Sequence, residues 1–92
     1  MKILPFSAWL HLFLIRQKID NIDDSIYELL EHRFQMARLT RHYKSDTFDM
    51  RREHEILERL MSKGRLPPEC VHDVWTTIMT HSKKEQNKIL SN

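Results

Sequence analysis

Glycine is almost absent from this 92-residue chain, where Gly64 is the only one. One glycine cannot furnish a phosphate-cradling loop, a dinucleotide fingerprint or the repeated tight turns of a small β-barrel. Cysteine is as scarce. Cys70 alone forms no internal disulfide and supplies no multi-cysteine zinc site, so the default setting is reducing and cytoplasmic. An excess of one charge sign is missing too. Fifteen Lys and Arg against thirteen Asp and Glu leave a net charge of only +2, without the concentrated basic stripe that nucleic acid demands. The length allows a single domain over residues 1–92, with a limited core if the chain stands alone.

A long apolar span is also wanting. The opening MKILPFSAWLHLFLI resembles a signal peptide, with Lys2 ahead of an apolar run, but Pro5, Ser7 and His11 interrupt it and no small-x-small cleavage site follows. The run is too short to cross a bilayer as a helix, and no membrane partner is expected. It reads as the buried start of a helix capped near Ser7, making residues 1–13 a helical extension of the domain.

What the chain does have is helical periodicity. From Trp9 to about Tyr43 there is neither Gly nor Pro, and Ile15, Ile19, Ile22, Ile26 and Leu29 form a heptad-like stripe. Such a helix is about 52 Å long at 1.5 Å per residue, whereas a compact chain of this size has a radius of gyration of about 12 Å. The stripe therefore calls for a partner chain. Ser45–Phe48 read as a short polar break. Asp49 is a good N-cap for a second helix that carries Ile56, Leu57, Leu60 and Met61 on one face, with Gly64 as its stop. Pro67 and Pro68 open a third helix, with Glu69 suited to its dipole and a stripe of Val71, Val74, Trp75, Ile78 and Met79, then Ile89 and Leu90. The fold class is all-α, with three helices of which the first is very long.

Polar residues break each of these stripes. On the first helix the row Ile19, Ile26 continues to Arg33, a costly position for a cation unless something anionic meets it. Lys44, eleven residues on, falls about 20° around the same helix and about 16 Å along it. Glu53 lies on the apolar face of the second helix. On the third, Val71, Trp75 and Ile78 lead to Ser82 and Gln86, spaced i, i+4. Each position has a plain structural reading: Arg33 with Glu53 as a buried ion pair, Ser82 and Gln86 as ordinary interhelical hydrogen bonds. Their coincidence on all three helices points instead to an enclosed polar pocket. The six histidines show no ligand-type grouping and there is no Ser-His-Asp arrangement, so covalent catalysis is not indicated. Arg and Lys suit a small dianion, and Lys44 and Gln86 can donate to an oxygen that gains negative charge.

These residues resemble the all-helical chorismate mutases. The run Arg16-Gln-Lys-Ile19-Asp-x-Ile-Asp23-x-x-Ile26-x-x-Leu29-Leu30-x-x-Arg33 is similar to that family's first-helix pattern. Lys44, then Asp49-x-x-Arg52-Glu53-x-x-Ile56-Leu57, then Ser82-x-x-x-Gln86 follow in the family's order, and the resemblance covers about residues 14 to 90. It implies an intertwined homodimer acting on a chorismate-like dicarboxylate without a cofactor, in aromatic amino acid biosynthesis. Arg33, Ser82 and the partner subunit's Arg16 would hold the two carboxylates, Lys44 and Gln86 the ether oxygen, and Glu53, with Asp49 and Arg52 nearby, the ring hydroxyl. Arg16 and Arg33 are 17 residues apart, about 25 Å along one helix, so both can grip one small ligand only if Arg16 comes from another chain. The segment between Lys44 and Asp49 is several residues shorter than the family pattern.

Three other readings stay open. An isochorismate pyruvate-lyase on the same scaffold is disfavoured by Glu53, since that branch lacks an acid after the second-helix Arg. A 4-amino-4-deoxychorismate mutase is compatible, because Asp49 and Glu53 face an ammonium as readily as a hydroxyl. A non-catalytic helical dimerisation module would leave Arg33 and Lys44 as surface or ion-pair residues.

Overall fold

The structure is a computed structural model that describes residues 5–44 and 49–90, with side chains as far as Lys88. It contains three helices, α1 (Phe6–Thr40), α2 (Met50–Met61) and α3 (Pro68–Leu90), and no strand among the described residues. The expected polar break at Ser45–Phe48 and the stripe positions Ile89 and Leu90 lie outside the described residues and side chains. Among the described residues no helix is long and apolar enough to cross a membrane. The chain divides into two compact units at His32 and Arg33, a boundary inside α1.

The first unit, up to His32, is the bulk of α1. The helix opens at Phe6, where the Pro5 carbonyl accepts from the backbone N–H groups of Ala8 at 2.9 Å and Trp9 at 3.2 Å. The expected Ser7 cap is therefore corrected: Pro5 fixes the entry and Ser7 already lies inside the helix, because a proline next to the first turn has no N–H to lose. No residue of α1 is buried. The stripe residues Ile15, Ile19, Ile22, Ile26 and Leu29 stay between 49% and 67% exposed, and Phe6, Trp9 and Phe13 are exposed as well. The expected buried start of the helix is exposed in the single chain.

The second unit runs from Arg33 and holds the core. Asp49 caps α2 as expected, its carboxylate accepting from the Arg52 backbone N–H at 3.0 Å. Beyond Met61 the Gly64 N–H donates to the Met61 carbonyl at 3.2 Å, and Gly64 takes a φ of +67°. A left-handed residue just past a helix end is where glycine avoids the Cβ clash. Pro68 then starts α3, which packs against α2. Ile56, Val71 and Met79 are buried between them, with Trp75 and Ile78 partly covered and Val74 exposed.

Two polar residues are buried as deeply as this core: Ser82 and Gln86 keep only 7% and 6% of their surface. Both reach the C-terminal part of α1. That part ends at Thr40, whose hydroxyl donates back to the Ala37 carbonyl at 2.7 Å, and Arg41–Tyr43 continue as a turn. Lys44 is thus corrected: it follows the end of α1 instead of sharing a helical face with Arg33.

Candidate active site

The polar breaks in the three stripes come together. Arg33, Lys44, Asp49, Arg52, Glu53, Ser82 and Gln86 all line one cavity of about 260 Å³ within the second unit, floored by Met36, Ile56 and Met79. Each arrives there for a local reason. Arg33 continues the Ile19, Ile26 row of α1, Asp49 is placed by its role as N-cap, and Arg52 and Glu53 follow in the first turn of α2. Ser82 and Gln86 are one helical turn apart on α3. Arg16, the remaining predicted site residue, lies in the first unit, exposed on α1, and does not line the cavity.

Arg33 carries the clearest electrostatic signature. Its Nη1 donates to the Ser82 hydroxyl at 2.6 Å, and that hydroxyl donates to the Ile78 carbonyl at 2.9 Å, which fixes its orientation. No carboxylate stands within ion-pair distance of Arg33 among the described residues. The anticipated Arg33–Glu53 pair is absent: the Glu53 Oε2 accepts from Lys83 Nζ at 3.1 Å. Burial, and after it the like charge of Arg52, push the Arg33 guanidinium below its ordinary pKa. A desolvated cation repelled by a second cation gains most from an anion placed between them.

Across the cavity the Gln86 amide is committed to α1. Its Nε2 donates to the Thr40 hydroxyl at 2.8 Å and to the Ala37 carbonyl at 3.1 Å, while its buried Oε1 has no partner among the described residues. A buried carbonyl without a donor costs about 1–3 kcal/mol. The Lys44 carbonyl accepts from Arg41 Nη1 at 3.5 Å, which ties its backbone to the end of α1, and its side chain lines the cavity.

Lys83 is the cavity residue that the periodicity of α3 did not single out. Its spacing offered the signal: it stands four residues after Met79 and three before Gln86, on the same helical surface. With it, the described residues of the lining include four cations (Arg33, Lys44, Arg52 and Lys83) and two anions (Asp49 and Glu53). Among the described residues no cluster of His, Cys, Asp and Glu is able to hold a metal ion. The arrangement suits binding and polarising a small dianion. Among the described residues of the lining no nucleophile is aligned with a base.

Comparison with known proteins agrees with this chemistry. The family model described as chorismate mutase type II matches residues 15–87, which includes every candidate site residue. No curated protein and no solved structure gives a match.

Proposed function

The chain belongs to the type II chorismate mutase family, and we propose that it is an isomerase that rearranges chorismate to prephenate for aromatic amino acid synthesis. The observation that carries this reading is the half-buried Arg33, held by Ser82 and lining a cavity together with Lys44 and Arg52. Chorismate is a dianion, and its rearrangement is unimolecular. The protein has only to select the compact conformer, in which the two reacting ends approach, and to stabilise the negative charge that builds on the ether oxygen as the C–O bond breaks.

In this reading Arg33 grips one carboxylate with the help of Ser82. The Lys44 ammonium and the Gln86 Nε2, on exchanging a bond to the end of α1 for one to the ligand, donate to the ether oxygen. Glu53 accepts from the ring hydroxyl, with Asp49 and Arg52 bounding that end. The second carboxylate goes to Arg16 of the partner subunit in an intertwined homodimer. The exposed Ile15–Leu29 stripe supports that assembly, since contiguous exposed apolar surface marks an association site.

The test is to incubate the purified protein separately with chorismate, isochorismate and 4-amino-4-deoxychorismate and to identify the products. Prephenate from chorismate is expected. Pyruvate release from isochorismate as the main activity would make the protein a lyase, and conversion of none would leave it a non-catalytic dimer.

A further inference from the structure

From the ion pair between Lys83 and Glu53 we infer that Lys83 sets which ring substituent the site accepts, favouring a neutral hydroxyl over an ammonium. The inference rests on the mutase reading above and goes beyond it. Glu53 Oε2 accepts from Lys83 Nζ at 3.1 Å, and both side chains are more than two-thirds covered, at 27% and 28% exposure. Both line the cavity, Glu53 from the first turn of α2 and Lys83 from the turn of α3 that also carries Ser82 and Gln86.

Without Lys83, a carboxylate at this end of the cavity would attract an ammonium strongly. With Lys83 beside it, the negative charge is already matched, and an incoming ammonium meets a like charge that costs binding energy. A hydroxyl escapes this conflict. It donates one hydrogen bond to the Glu53 carboxylate, whose second oxygen remains to accept it, and brings no charge of its own.

Asp49, the other acid in the described lining, is committed to the cap of α2, where its carboxylate accepts from the Arg52 backbone N–H. Lys83 is accordingly a positioning residue that acts through Glu53.

The experiment compares kcat/KM for chorismate and for 4-amino-4-deoxychorismate in the wild type, Lys83→Met, Lys83→Gln and Lys83→Arg. The wild type should prefer chorismate. Both neutral variants should shift the ratio toward the amino substrate by roughly tenfold or more, the lower end for removing a like charge from a partly covered site, and the shift should appear mainly in KM. Lys83→Arg keeps the cation and should keep the preference. A merely structural lysine would lower both activities together and leave their ratio unchanged. Lys83→Gln, which retains length and hydrogen bonding, gives the answer if the Met variant does not fold. A wild type that converts chorismate while the neutral variants keep its ratio overturns the inference alone. A wild type that prefers the amino substrate overturns it as well, and one that converts neither overturns the mutase reading on which it rests.

Discussion

The two units of this chain solve the burial problem in opposite ways. The first, up to His32, carries a regular apolar stripe and buries none of it. The second, from Arg33, buries few apolar side chains and spends an equal depth of cover on Ser82 and Gln86. Apolar surface left in water is a call for association, whereas polar groups taken out of water are costly unless a partner meets them. Under the proposed function the difference divides the labour of the fold: one unit would provide the means of assembly and the other the means of binding. On this reading the two are joined by one residue, Arg16, which lies on the assembling unit but serves the binding site of the partner subunit.

The largest effect should come from breaking that link. Ile22 is 57% exposed at the centre of the stripe, and Ile22→Asp places a charge where a second chain would have to bury it. Sedimentation should show the variant as a monomer, and its mutase activity should vanish with the dimer. A dimeric or active variant would remove the stripe from the assembly. The same link is sharpened by mixing two inactive chains. Arg16→Ala and Arg33→Ala subunits, unfolded and refolded together, form hybrids with one intact site, so roughly a quarter of wild-type activity should return when association is random. No recovery would mean that Arg16 and Arg33 serve the same chain's site or none.

Within the binding unit, Lys44→Ala should lower kcat by about 10²–10³-fold, the usual loss when a donor to a developing oxyanion is removed. KM should change less, because the bond strengthens in the transition state. Steady-state kinetics on prephenate formation decides it: an unchanged kcat would remove Lys44 from the chemistry.

Much of this arrangement is legible in the residues themselves. A stretch without Gly or Pro gives the long helix, Asp49 and Gly64 mark the limits of α2, and Pro68 opens α3, because these residues fix local backbone geometry whatever surrounds them. Breaks in periodicity led to Arg33, Glu53, Ser82 and Gln86 for the same reason: a helix dictates which positions share a face. What escaped was set by tertiary contact. α1 ends at Thr40 without any breaker, through the Thr40 and Gln86 side chains that capture the Ala37 carbonyl, so Lys44 left the helical face on which periodicity placed it. Glu53 chose Lys83 over Arg33, and no local rule distinguishes two cations on neighbouring helices. Lys83 sits one residue beyond Ser82, and a cavity is wider than a single helical row.

A smaller effect concerns how the binding unit places its acids. Asp49→Ala removes the cap of α2, which typically costs about 1 kcal/mol of stability, read as a fall in the urea midpoint. Asp49→Asn should recover most of it, since an Asn side chain caps as well. If the alanine variant is as stable as the wild type, the cap does not anchor the first turn that carries Arg52 and Glu53.

The smallest effect lies at the far end of the same unit, where Arg38 Nη1 and Lys88 Nζ hold the Glu85 carboxylate at 3.0 and 2.8 Å. Lys88 first, and Arg38 with it, keep the Glu85 carboxyl below its ordinary value of 4.5 against a weaker opposing push from burial. A carboxylate whose folded pKa is depressed releases its proton more readily in the folded chain than in the unfolded one. Its contribution to stability is therefore fully present above the unfolded value and is lost as pH falls through the folded one. Glu85→Gln should make the fall of the unfolding midpoint below about pH 4.5 shallower than in the wild type, while changing the midpoint at pH 7 only slightly. An unaltered acid limb in the variant would show that this pair does not link α1 to α3. Because Glu85 lies outside the cavity lining, the substitution should leave kcat at pH 7 unchanged, which separates the fastening of the binding unit from its chemistry.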